Sequence, residues 1–274
     1  VLSVSAHTAD LLVRNAYVVT MDPERRVLTN GAVAIGGGSI MAVGPEREVT
    51  ADLRAARTID AHGAVVHPGF VDNHIHLLYH NLRWAYPDGY GWDDSIGIHG
   101  EYMALVDDEM AYVSTKLAAL EMVRNGTTCF LEAGGVSNTD STAAALVEIG
   151  IRGMLGGAFV RDIVTPGGGT QTGIEHSLER AFGVMGAELR RNADPDALVR
   201  GVVSLSGLGT ASDELMLAAK AMADEHGVVL NQHQSYQMLD AETDDRRLGR
   251  HPLVHYAEIG VLGENCTFSH MNIV

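Results

Sequence analysis

Residues 67–76 (HPGFVDNHIH) hold the densest run of potential chemistry in the chain. A turn signal, Pro68-Gly69, leads into the apolar pair Phe70-Val71, and two histidines one residue apart follow, His74 and His76. Side chains alternate along an extended strand, so residues i and i+2 share a face. Neutral imidazole is the commonest protein ligand for a first-row divalent metal, so such a pair at a strand end is half of a metal site. A bare His-Xaa-His is weak evidence in a chain with 13 histidines, where an edge strand with solvated rings is the plainer account. The context sharpens it: Pro-Gly, then aromatic and β-branched residues, then Asp72 before the pair. Further candidates are His233 (in VVLNQH), His270 (in CTFSH), Glu132 (in TTCFLEA) and Tyr236, three residues after His233.

The elements that must position these groups fall into two stretches. Residues 1–66 read as a small β segment. A strand covers 10–21, two more over 32–35 and 40–43 flank the glycine-rich turn at 36–39, and 58–60 with 64–66 make another short pair around His62-Gly63. From 67 to 274, short apolar strands alternate with longer amphipathic stretches. Asp107 caps a helix whose Met110, Val113, Leu117, Leu120 and Val123 recur at helical spacing. A strand over 127–133 follows, then a helix over 137–149 closed by Gly150, a strand over 152–160, and a helix over 174–191. Next come a strand over 200–206, a Ser212-capped helix to His226, a strand over 228–233, a helix opened by Pro252, and a last strand over 266–274. Repeated strand–helix units imply parallel strands with right-handed crossovers. In a parallel barrel, ligands lie at the C-terminal strand ends, where His74, His76, His233 and His270 all fall.

The string VHPGFVDNHIH resembles the first-strand signature of the amidohydrolase superfamily of metal-dependent hydrolases, in the branch of cytosine deaminases and triazine hydrolases. The resemblance implies a (β/α)8 TIM-type barrel, incomplete here at about six βα units, with the 1–66 segment forming part of a composite β-sandwich. The chain is then either truncated or one whose remainder lies outside this sequence. A doubly wound open sheet is the structural alternative, because βαβ repeats alone do not separate the two. The family implies that His74, His76 and His233 ligate one divalent metal ion, zinc first, with iron, manganese or cobalt as alternatives. A carboxylate beyond residue 274 would complete the set. His270 would orient or deprotonate the attacking water. Two-metal members bridge their ions with a carboxylated lysine on a strand. Lys116 and Lys220, the only lysines, fall in helical patterns, which argues for one metal. Deaminase-like members carry a glutamate where Tyr236 stands. A tyrosine, with a reference pKa of about 10, is a poor base but a hydrogen-bond donor. This puts a purine, pyrimidine or triazine substrate in question unless Glu132 substitutes as the proton shuttle.

The expected activity is hydrolysis of a C–N bond in a small, heterocyclic or amide-like substrate. The alternative is a catalytically inactive barrel used for binding or assembly. Trp84, Tyr86, Tyr90 and Trp92, on the stretch after the metal strand, suggest a substrate wall or lid. Gly167-Gly168-Gly169 lacks the spacing and lysine of a phosphate-binding loop. The net charge of −16 argues against nucleic acid as a partner. No apolar run is long enough to span a bilayer. Two distant cysteines fit a reducing cytoplasm. The family commonly forms homo-oligomers.

Overall fold

The computed structural model describes residues 7–83, 92–164 and 174–274, with the side chains of 7 and 92–97 excepted. The chain divides into two compact units, Val1–Gly69 and Phe70–Val274, against an expected boundary at 66/67.

The first unit is a five-stranded sheet. Strand β1 (His7–Val19) runs through its middle, antiparallel to β2 (Val27–Gly36). Strand β3 (Ser39–Pro45) pairs with β2 across the glycine turn, where Gly37 and Gly38 have φ of 58° and 76°. A short helix, α1 (Glu46–Val49), then leads to β4 (Leu53–Asp60). The expected pairing of the two short strands around His62-Gly63 does not occur: β4 and β5 (Val65–Val66) both pair in parallel with β1. The long, apolar β1 offers more ladder than either short strand offers the other. No second sheet that would make this unit a sandwich occurs among its described residues.

The second unit opens with β6 (Phe70–Ile75) and continues through β7 (Thr127–Glu132), β8 (Arg152–Leu155) and β9 (Val199–Gly201), all parallel and in chain order. Strands β10 (Val203–Gly207), β11 (Leu230–Gln234) and β12 (Cys266–His270) continue the series, again parallel and in order. The single strand expected over 200–206 is thus two. β9 pairs back to β8, while β10 pairs forward to β11, and Val202 between them donates to the Leu155 carbonyl.

Helices cover these strands. The Asp107 side chain caps α3 (Asp108–Arg124) by accepting from Met110 N. The buried face of α3 is not the expected apolar stripe. Ala111, Ala118, Ala119 and Met122 are buried with Ser114 and Thr115, whereas Val113, Leu120 and Val123 are exposed. The small residues there face two neighbours: Thr115 meets Thr142 of α4 (Thr139–Ile149), and Ser114 donates to the Leu77 and Leu78 carbonyls. The helix expected over 174–191 is α5 (Leu178–Met185) plus a 3₁₀ turn, Ala187–Ala193, broken at Gly186. Ser212 caps α6 (Asp213–His226), accepting from Leu215 N, and α6 ends on left-handed Gly227. α7 (Met238–Leu248), rich in acid and arginine, has no apolar stripe and was not expected. α8 (Pro252–Glu258) begins on Pro252 as expected. Lys116 and Lys220 lie on α3 and α6, paired with Glu148 and Asp224. The strand expected over 152–160 stops at Leu155. Among the described residues, no helix is long and apolar enough to cross a membrane.

Candidate metal centre

β6 delivers the first pair. His74 lies in the strand and His76 caps the following 3₁₀ turn, with ring centroids 5.0 Å apart. The Asp72 carboxylate accepts from His74 N at 3.1 Å, which fixes the backbone between them. His233 comes from β11 and His270 from the last residue of β12, placed by the register of β11 on β12. The His74 centroid is 4.9 Å from both His233 and His270. One ring nitrogen each of His74, His233 and His270 lies within 4.8 Å of the others. His76 joins from the side: its Nε2 is 3.2 Å from His233 Nε2, and the two rings are stacked at 4°. Residues up to 196 positions apart in sequence therefore converge at the C-terminal strand ends.

The electrostatics leave these rings neutral. Burial, then the neighbouring His233, His74 and His270, hold His76 well below the usual histidine range. Burial and His74 push His233 down to about 3, against the opposing bond to the Ser206 carbonyl. Burial and His270 lower His74, and burial lowers His270. His233 Nδ1 sits 2.9 Å from the Ser206 carbonyl oxygen and donates to it. That bond places the proton on Nδ1 and turns the Nε2 lone pair into the cluster. Neutral imidazoles with inward lone pairs are the donor set that zinc and similar ions take. The residues present therefore fit a divalent metal ion.

The histidines open onto a cavity of about 290 Å³ walled by Tyr79, His99, Phe159, Arg161, Leu208 and Tyr236, among others. Tyr236 stands beside His270, with ring centroids 4.6 Å apart. Glu132 is placed differently from the other candidates. It is 1% exposed and lies behind His76 rather than on the cavity wall, accepting from Gly134 N at 2.7 Å. Burial pushes its carboxyl up to about 7, against the bonds from Gly134 and Gly135.

Within the second unit, left-handed non-glycine residues lie along this rim. Phe159, Leu208, Ser235 and His270 are non-glycine residues with φ of 51°, 52°, 50° and 80°, and they follow or end β8, β10, β11 and β12. Left-handed residues of this kind cost about 1–3 kcal/mol each and concentrate where a site demands them.

Sequence reasoning did not find His99, Tyr79, Phe159 or Arg161. His99 sits in α2 (Trp92–Leu105) without a motif, its ring 4.4 Å from that of Tyr79. Arg161 is 4% exposed, and burial lowers its guanidinium to about 10. Its place just beyond an apolar strand was the available signal. Trp84, Tyr86 and Tyr90, the side chain of Trp92 and the triple glycine at 167–169 lie outside the described residues.

The comparisons with known proteins agree with this geometry. The Amidohydrolase family matches residues 65–271. The chain is 33% identical over 264 residues to the 5-methylthioadenosine/S-adenosylhomocysteine deaminase of Syntrophobacter fumaroxidans, covering 96% of this chain and 57% of that one. It is 29% identical over 267 residues to the 5'-deoxyadenosine deaminase of Methanosarcina barkeri, covering 96% and 57%. Among solved structures it is similar to a zinc-bound adenosine deaminase from Xanthomonas campestris, with TM-score 0.82, 26% identity and coverage of 97% and 58%. It shares its fold with the zinc-bound atrazine chlorohydrolase of Arthrobacter aurescens, at TM-score 0.79, 22% identity and coverage of 94% and 60%. The chain spans 57% of the length of these curated relatives. With its parallel α/β architecture and its histidines at the strand ends, the chain belongs to the amidohydrolase family.

Proposed function

We propose that this chain carries the metal-binding and proton-transfer histidines of a hydrolase that cleaves a C–N bond in a small heterocyclic substrate. The observation that carries the reading is the convergence of His74, His76, His233 and His270 on one cavity, with His233 Nε2 turned inward by the Ser206 bond. His74, His76 and His233 would hold one divalent ion, zinc before iron, manganese or cobalt. Bound there, such an ion supplies the Lewis acidity that makes hydroxide available near neutral pH. His270, neutral at neutral pH, accepts the proton of the attacking water and passes it toward the departing amine as the C–N bond breaks. Tyr236, beside His270 on the cavity wall, donates a hydrogen bond to a substrate ring nitrogen or to the leaving group. The aromatic walls, Tyr79, Phe159 and Tyr236, suit a flat ring.

The named relatives make 6-aminopurine nucleosides the first substrates to try. The clustered ring nitrogens count against a non-catalytic scaffold, since packing alone does not call for them. The test is ammonia release by the zinc-loaded protein from 5'-methylthioadenosine, S-adenosylhomocysteine, 5'-deoxyadenosine and adenosine. Release from at least one, lost in a folded His74→Ala variant, is expected. A folded, zinc-loaded protein that releases none, or a His74→Ala variant of undiminished rate, overturns the proposal.

A further inference from the structure

We propose that Glu132 is a positioning residue whose carboxylate holds His76 in the tautomer that aims its Nε2 lone pair at the metal position, and that Gly135 keeps the gap between them open. The inference rests on the metal-hydrolase reading above.

The first observation is an orphan. His76 Nδ1 is buried and makes no hydrogen bond, an expensive state for a ring nitrogen. The second is what faces it. Glu132 Oε1 lies 3.9 Å from that nitrogen, at the end of the neighbouring strand. The strand register sets this approach, because Ile75 pairs with Glu132 and Ala133 N donates to the Ile75 carbonyl at 3.1 Å. A closure of about 1 Å brings the pair into hydrogen-bond range, with a proton on Nδ1 donating to the carboxylate. With Nδ1 protonated, Nε2 is left bare, and Nε2 is the atom facing His233.

Glu132 is itself held for this task. Gly134 N donates to Oε2 at 2.7 Å, and Gly135 N reaches Oε2 at 3.1 Å and Oε1 at 3.2 Å. A loop staple alone would account for those bonds but not for an Oε1 aimed at a buried ring nitrogen that has no hydrogen bond. The third observation is Gly135. A Cβ built there would lie 3.1 Å from His76 Nδ1 and 3.4 Å from Glu132 Oε1. Any side chain would wedge into the space the bond must cross. Carboxylates behind metal-binding imidazoles fix ring orientation and tautomer, and their loss costs about 10–100-fold in metal affinity.

The test compares the intact protein with Glu132→Gln and Gly135→Ala. Three quantities are measured: zinc affinity by chelator competition, metal-free melting temperature, and the His76 tautomer by side-chain nitrogen NMR. Glu132→Gln keeps an oxygen for the glycine amides but removes the charge. Gly135→Ala leaves both partners chemically intact and separates them, so it decides the matter should the first variant fail to fold. The expected result is a loss of zinc affinity of roughly 10–100-fold in both, with His76 shifted from the Nδ1-protonated form. Unchanged zinc affinity and tautomer in the variants, while the parent protein binds zinc, overturn this inference alone. So does a lower melting temperature with the tautomer unmoved, which marks a purely structural glutamate. A parent protein that takes up no zinc overturns the hydrolase reading and this inference with it.

Discussion

Replacing Gly207 with alanine should cost the protein both stability and its metal, because His233 is built against that glycine. Gly207 has φ of +71°, and a Cβ there would sit 1.9 Å from the His233 carbonyl oxygen and 2.7 Å from its carbonyl carbon and amide nitrogen. The same oxygen accepts from Leu208 N at 3.0 Å, so the chain turns tightly around it. Holding alanine in the left-handed region costs about 1–2 kcal/mol. Relieving the overlap requires the β10–β11 pairing to open, and forced overpacking of this kind costs about 1–3 kcal/mol more. The sum is about 2–5 kcal/mol. At about 2–4 °C per kcal/mol for a chain of this size, a cost near 3 kcal/mol lowers the melting temperature by roughly 6–12 °C. Gly227→Ala is the control: its φ is +61°, but nothing lies within 4 Å of the added Cβ, so only the backbone cost of about 1–2 kcal/mol applies. Thermal unfolding by circular dichroism, with zinc affinity measured on the folded protein, compares the two. Equal melting shifts, or a Gly207→Ala variant that binds zinc as the parent does, would refute the placement of His233 by this contact.

Other outcomes follow from the same structure. His270→Asn should lower the rate of ammonia release by about 10²–10⁴-fold while the other three histidines retain zinc, as read by initial rates and metal content; loss of the zinc would make His270 a ligand instead. Phe130 is fully buried and fills the space left by Gly153, so Phe130→Ala should cost roughly 3–5 kcal/mol in denaturant unfolding, and a cost under about 1 kcal/mol would contradict the packing. Bonds from Arg190 and Arg191 hold the Asp140 carboxyl below its usual range, so its contribution is fully present above the ordinary aspartate value. That contribution is lost as pH falls through the lower folded value. The stability gap between the parent and Asp140→Asn should therefore shrink only in acid, and shrink with salt because the carboxylate is exposed. A gap that instead grew toward low pH would reverse the sign of the argument.

The site was legible where local patterns carry it. The spacing of His74 and His76, the strand-end positions of His233 and His270, and the caps Asp107 and Ser212 all follow from short-range rules that survive folding. The stripe of α3 misled for a tertiary reason. Its Val113, Leu120 and Val123 are apolar at the right spacing, yet the buried face is the Ala, Ser and Thr one, with Ser114 bonded to the Leu77 and Leu78 carbonyls and Thr115 meeting Thr142 of α4. The division of the strand over 200–206 between two partners is likewise a matter of pairing, which the sequence of that strand does not contain. α7 was missed because its burial depends on Asp240, Ala241 and Asp244 rather than on an apolar face. His99 reaches the cavity through long-range placement with no local signal, and Arg161 carried only its position after an apolar strand, which many polar residues share.

In the proposed site, neutral imidazoles from separate strands share one cation. X-ray absorption at the zinc edge, on protein equilibrated with one equivalent of zinc and freed of excess, tests it most directly. Retained metal with imidazole nitrogens at about 2.0–2.1 Å is expected. Their number should fall in His74→Ala and in His233→Ala. Protein that holds no zinc, or zinc surrounded by oxygen alone, would contradict it.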